Sequence, residues 1–62
     1  MSLTYAIQLE DEVRRLARQP YPNGERRDEE AAILAEVERL SHLDSYLAVP
    51  QLRRLLNELE VA

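Results

Sequence analysis

The first third of the sequence carries apolar residues at alternating intervals of three and four, which is the period of one face of an α-helix. The apolar positions in this series are Ala6, Leu9, Val13 and Leu16. In the same segment Glu10 stands four residues before Arg14, an orientation in which the two charges stabilise a helix by about 0.2–0.5 kcal/mol. This pattern predicts a helix over about residues 3–19.

A break follows at residues 20–24, where two prolines and the pair Asn23-Gly24 occur together. Proline lacks a backbone N–H and keeps the residue before it out of the helical conformation, whereas Asn and Gly accept positive φ angles. Connections of about five residues join antiparallel helices. The sequence therefore predicts that residues 20–24 link the two helices of a helical hairpin.

A second series of apolar residues predicts a helix over about residues 26–48. Its members are Ile33, Val37, Leu40 and Leu47. Asp44 projects into the middle of this stripe, where a lone buried carboxylate would be costly. Two interpretations remain open: a helix that breaks between Ser41 and Asp44, or a continuous helix in which Asp44 lies beyond the packed region. We favour continuity to Ala48.

Pro50 indicates the start of a third helix over about residues 50–60. Proline suits the first position of a helix, and it drives the preceding Val49 towards an extended conformation. Four leucines give this segment one apolar face: Leu52, Leu55, Leu56 and Leu59. The predicted fold class is therefore all-α, a helical hairpin plus a short third helix, in a single domain over residues 1–62.

The size of the chain points to oligomerisation. A chain of 62 residues buries only about 60% of the surface that its unfolded form exposes, and folds this small usually depend on a disulfide, a metal or a partner. The sequence has no Cys and one His, so we expect two copies to form a dimeric helical bundle. The predicted partner-binding residues are Ile7, Leu43, Tyr46, Leu52, Leu55, Leu56 and Leu59.

These features predict a non-enzymatic protein–protein interaction module, acting as an adaptor, regulator or assembly subunit, whose expected partner is another copy of itself. A net charge of −4 and a pI near 4.8 disfavour a general nucleic-acid binder. Between residues 14 and 27, however, five arginines are opposed only by Glu25, a local charge of +4. The alternative is a small nucleic-acid-associated regulator whose possible anion-binding residues are Arg14, Arg15, Arg18, Arg26 and Arg27.

The sequence predicts no catalytic residue, metal ligand, cofactor or small-molecule substrate. His42 lies beside Ser41, but consecutive helical residues point in different directions, whereas a catalytic triad converges on one pocket. Glu38 and His42 stand four residues apart, one more than in the Glu-x-x-His motif of di-iron bundles. No apolar run approaches the roughly 18 residues of a membrane span. We therefore expect a cytoplasmic protein without a membrane partner.

Overall fold

The computed structural model describes residues 3–61, with the side chains of residues 4–61. Three α-helices pack together: α1 (Leu3–Arg18), α2 (Glu30–Ser41) and α3 (Ser45–Val61). Residues 3–61 contain no strand, and the predicted all-α class is confirmed. Residues 1, 2 and 62 of the predicted domain lie outside the described residues.

The first helix follows its predicted bounds closely. Its buried positions keep the predicted helical spacing: Ala6, Leu9, Val13 and Ala17. Leu16, which belongs to the predicted stripe, is partly buried and packs against the core. Arg15 and Arg18 lie in the last turn, where the negative end of the helix dipole favours cations.

The connection between α1 and α2 covers residues 19–29 and is longer than predicted. The Gly24 N–H donates to the Tyr21 carbonyl at 2.8 Å, and the Tyr21 N–H donates to the Glu25 carbonyl at 2.9 Å. Gly24 has a φ of +85°, which glycine adopts without strain. The second helix begins at Glu30 instead of near residue 26, because Arg27 folds back over the Tyr21 ring and keeps its segment in the loop.

The predicted continuity of the second helix to Ala48 is wrong. α2 ends at Ser41 with His42 as its C-cap. The Asp44 carbonyl accepts hydrogen bonds from the N–H groups of Leu47, at 2.9 Å, and Ala48, at 3.0 Å, in the first turn of α3. Asp44 is exposed at a helix N-terminus, where the dipole favours a carboxylate. Breaking the helix here keeps that charge out of the apolar stripe, where its burial would be costly.

The prediction that Pro50 begins the third helix is also wrong. α3 begins at Ser45, and Pro50 lies inside it. Since proline has no N–H, the Tyr46 carbonyl one turn earlier loses its helical hydrogen bond. Val49 and Leu52, on either side of Pro50, are buried in the core. Their packing stabilises the helix across the missing bond.

The core lies where the three helices meet. Within residues 4–61 its buried side chains are all Ala, Val or Leu: Ala6, Leu9, Val13, Ala17, Val37, Leu40, Ala48, Val49, Leu52 and Leu59. Tyr5 of α1 lines a groove with Pro50 of α3, and Leu16, near the end of α1, lines a cleft with Leu59. α1 and α3 therefore run in the same direction, so both helices begin at one end of the molecule.

Candidate interaction surfaces

Large hydrophobic side chains remain exposed at the end of the molecule where α1 and α3 begin: Tyr5, Ile7, Tyr46 and Leu47. Ile7 in α1 is 46% exposed, and in the first turn of α3 Tyr46 is 65% and Leu47 45% exposed. Scattered exposed apolar residues are ordinary, but several at one end of a small fold are typical of an interaction surface. We call Ile7, Tyr46 and Leu47 the apolar end surface.

The other five predicted partner-binding residues contribute to the core of the single chain. Leu52 and Leu59 are buried. The remaining three are partly buried and pack against the core: Leu43, Leu55 and Leu56. α3 has a wide apolar face because it contacts both α1 and α2. In this fold Leu52, which is fully buried, therefore offers no surface to a partner.

Leu47 is exposed, although the sequence pattern placed it in the core stripe of the second helix. That placement assumed one continuous helix through Asp44. α3 begins as a separate helix at Ser45, so the directions in which its side chains point do not continue the pattern of α2. Ala48 and Val49 face the core, and Leu47 does not. The carboxylate of Asp44 in the projected stripe was the signal that could have identified Leu47 as a surface residue.

Three of the five clustered arginines, Arg14, Arg15 and Arg26, pair with carboxylates three or four residues away in the sequence. Arg14 Nη1 lies 3.6 Å from carboxylate oxygens of both Glu10 and Asp11. Arg26 Nη1 lies 3.3 Å from Glu30 Oε1. Ion pairs at the surface contribute only about 0.2–1 kcal/mol each. Their main effect here is to neutralise positive charge that a polyanion would otherwise meet.

Arg15 and Arg18 are both exposed but differ in their surroundings. Arg15 donates hydrogen bonds to the Glu12 carboxylate. These hydrogen bonds, and then the negative charge of Glu12, raise the pKa of Arg15 above its ordinary value. Arg18 has no ion pair among the described residues. The exposed arginines thus do not form a continuous patch of free positive charge.

Arg27 has a different environment, since its side chain is only 8% exposed. Its Cζ lies 4.7 Å from the centre of the Tyr21 ring, and its Nη1 lies 3.7 Å from Glu29 Oε1. Nε and Nη1 are buried and have no hydrogen-bond acceptor within the described residues. Arg27 also lines an open cleft of about 430 Å³, which we call the Arg27 cleft; its other lining residues are Leu16, Gln19, Pro20, Tyr21, Pro22, Leu59 and Glu60.

The polar residues at the end of α2 pair with Glu38 of the same helix. The Ser41 hydroxyl donates to the Glu38 carbonyl of its own helix at 2.6 Å. His42 Nε2 lies 3.3 Å from Glu38 Oε1, and both side chains are largely exposed. Among the described residues, no group of three or more His, Cys, Asp or Glu side chains could hold a metal ion.

In comparisons with known proteins the chain matches no family model, no curated protein and no solved structure. No helix within residues 3–61 has the length and apolar character required to cross a membrane. The fold and its surfaces define an all-α three-helix module with an apolar end surface and a cleft at the other end of α1 and α3.

Proposed function

We propose that this chain is a helical protein–protein interaction module that self-associates into a dimeric bundle and serves as an adaptor, regulator or assembly subunit. The observation that carries this proposal is the apolar end surface. Ile7, Tyr46 and Leu47 expose large apolar side chains at one end of the molecule. Removing such side chains from water stabilises an assembly by about 25 cal/mol per Å² of apolar area.

The small core supports the same proposal. Within residues 4–61 it is built from Ala, Val and Leu, so it lacks the large apolar area that an aromatic side chain would add. A stable interface covers about 800 Å² on each partner, roughly a fifth of the 4371 Å² accessible surface of the chain. The apolar end surface, together with the groove that Tyr5 and Pro50 line, is the area that we propose the interface covers.

We propose a role without catalysis and a location in the cytoplasm. The Ser41 hydroxyl is bonded to the Glu38 carbonyl of its own helix, and the His42 side chain is largely exposed beside Glu38. The exposed ion pairs along α1 and α2 suit the rim of a helical interface, where charges influence register and partner choice.

The alternative, a nucleic-acid-associated regulator, has less support. Four of the five clustered arginines lie within 4 Å of a carboxylate, so few are free to displace counterions from a phosphate backbone. Binding of that kind would weaken steeply with added salt. Measurable affinity for duplex or single-stranded DNA with such a salt dependence would favour the alternative.

Sedimentation equilibrium at micromolar concentration tests self-association. We expect the wild-type chain to sediment at twice its 7.2 kDa mass. The double substitution Ile7→Gln with Tyr46→Gln should give a monomer with unchanged helical circular dichroism. Val61→Gln is the matched control, because Val61 is 79% exposed but lies at the other end of α3, and it should leave the dimer intact. A helical wild-type monomer would refute the proposal.

A further inference from the structure

The side of α3 that faces away from the core carries exposed residues in two pairs, each seven positions apart. Pro50 lies in the middle of this side, about 160° around the helix from the buried Leu52 at 3.6 residues per turn. Seven residues make almost two helical turns, so Tyr46 lies above Arg53, and Leu47 lies above Arg54. We call these five exposed residues the α3 outer face: Tyr46, Leu47, Pro50, Arg53 and Arg54.

The two ends of the α3 outer face are chemically complementary. The Tyr46 side chain is 65% exposed, and neither its ring nor the guanidinium of Arg53 or Arg54 has a partner among the described residues. An arginine and an aromatic face attract each other when they come within about 6 Å. Tyr46 and Arg53 are separated by roughly 10 Å along their own helix and do not meet within one chain.

Pro50 leaves a backbone acceptor on the same face. Because proline has no N–H, the Tyr46 carbonyl lacks its usual helical donor at position 50. The Gln51 side-chain amide donates to the Leu47 carbonyl and not to that of Tyr46. A guanidinium carries five N–H donors, so an arginine that packs on the Tyr46 ring from outside the chain can also donate to this carbonyl.

We infer that α3 packs antiparallel against α3 of a second copy, across a two-fold axis at Pro50, with Arg53 of each copy stacked on the Tyr46 ring of the other. This arrangement rests on the proposed self-association and specifies its register. Tyr46 and Arg53 lie at nearly equal distances on either side of Pro50, so a two-fold axis there brings the two residue types together twice. Parallel packing would place arginine beside arginine, where like charges repel.

Cross-linking of single-cysteine variants of the full chain tests the register. The sequence has no Cys, so Pro50→Cys introduces the one thiol. A disulfide requires Cα atoms within about 7 Å of each other, which a two-fold axis at this position provides, and we expect an interchain disulfide under mild oxidation. Asn57→Cys is the matched control. Asn57 is exposed on the same side of α3, but its two copies would lie roughly 21 Å apart along the helices and should cross-link at least tenfold more slowly.

Sedimentation equilibrium tests the contact between Arg53 and Tyr46. Arg53→Gln should raise the Kd of the dimer about tenfold, because each dimer loses two arginine–ring contacts. Arg18→Gln removes an exposed arginine in the last turn of α1 and should change the Kd less than twofold. Adding Tyr46→Leu to Arg53→Gln should weaken the dimer by less than the product of the two single effects, because partners in one contact do not act independently.

The outcomes separate the register from self-association itself. A wild-type monomer would refute both. A wild-type dimer overturns the register alone if Pro50→Cys and Asn57→Cys cross-link at equal rates, or if Pro50→Cys forms no interchain disulfide. Independent effects of Arg53→Gln and Tyr46→Leu on the Kd overturn the contact between these two residues.

Discussion

The guanidinium carbon of Arg27 lies 4.7 Å from the centre of the Tyr21 ring, across a loop that also contains Pro22 and Gly24. The Arg27 side chain is only 8% exposed, and this contact joins two residues of the connection that precedes α2. Cation–π contacts contribute about 0.5–1 kcal/mol at exposed sites and about 2 kcal/mol or more when desolvated. The pair is thus positioned both to hold the loop and to orient the cleft.

Tyr21→Leu should lower the free energy of unfolding by about 1–2 kcal/mol, because it removes the aromatic face that offsets the burial of the Arg27 charge. Urea unfolding followed by circular dichroism measures this change. Tyr21→Phe is the control, since it keeps the ring and removes only the hydroxyl that bonds Glu29 at 3.2 Å. Tyr21→Phe should lower the free energy of unfolding by less than half as much as Tyr21→Leu. Equal losses in the two variants would assign the stabilisation to the hydroxyl.

Pro50→Ala should raise the free energy of unfolding by about 1–2 kcal/mol. Proline inside a helix removes one backbone hydrogen bond and costs about 3 kcal/mol, part of which is offset by the restricted unfolded chain. The Gln51 side-chain amide donates to the Leu47 carbonyl at 3.1 Å and not to the Tyr46 carbonyl, whose helical partner Pro50 removes. The midpoint of thermal unfolding should rise accordingly.

Pro22→Ala is the matched control for this substitution. Pro22 is exposed in the connection between α1 and α2, where it interrupts no helix. Its replacement should leave stability unchanged or lower it by about 0.4–1 kcal/mol through added freedom of the unfolded chain. A lower free energy of unfolding in Pro50→Ala would contradict this prediction. It would show that proline at this position stabilises α3 in its observed conformation.

The first helix could be predicted from sequence because a single apolar stripe packs it against both α2 and α3. Its buried residues recur at helical spacing, and no polar residue interrupts them. The local pattern and the global packing therefore agree. The same agreement explains why Ile7, which projects away from that stripe, could be identified as a surface apolar residue.

The later helices could not be placed correctly because local signals competed with packing. Asp44 disfavours a buried position, and Pro50 disfavours the interior of a helix. The sequence alone does not show which of these two preferences the fold overrides. The chain exposes Asp44 at a helix start and keeps Pro50 within α3, since Val49 and Leu52 then reach the core. The contact of Arg27 with Tyr21 depends on the path of a loop, so residue spacing gave no signal for it.

Leu52→Ala and Leu47→Ala should separate the core from the apolar end surface on the same helix. Leu52 is fully buried, whereas Leu47 is 45% exposed. Truncating a buried leucine lowers the free energy of unfolding by about 2–5 kcal/mol, so Leu52→Ala should unfold much of the chain at 25 °C. Leu47→Ala should change the stability of the single chain by less than about 0.5 kcal/mol and weaken self-association instead.

Thermal unfolding and sedimentation equilibrium, measured on the same samples, check both outcomes. The stability comparison is made below the dissociation constant of the dimer, because association itself raises apparent stability in proportion to protein concentration. If Leu47→Ala lost as much stability as Leu52→Ala under these conditions, Leu47 would belong to the core of the single chain. The apolar end surface would then reduce to Ile7 and Tyr46.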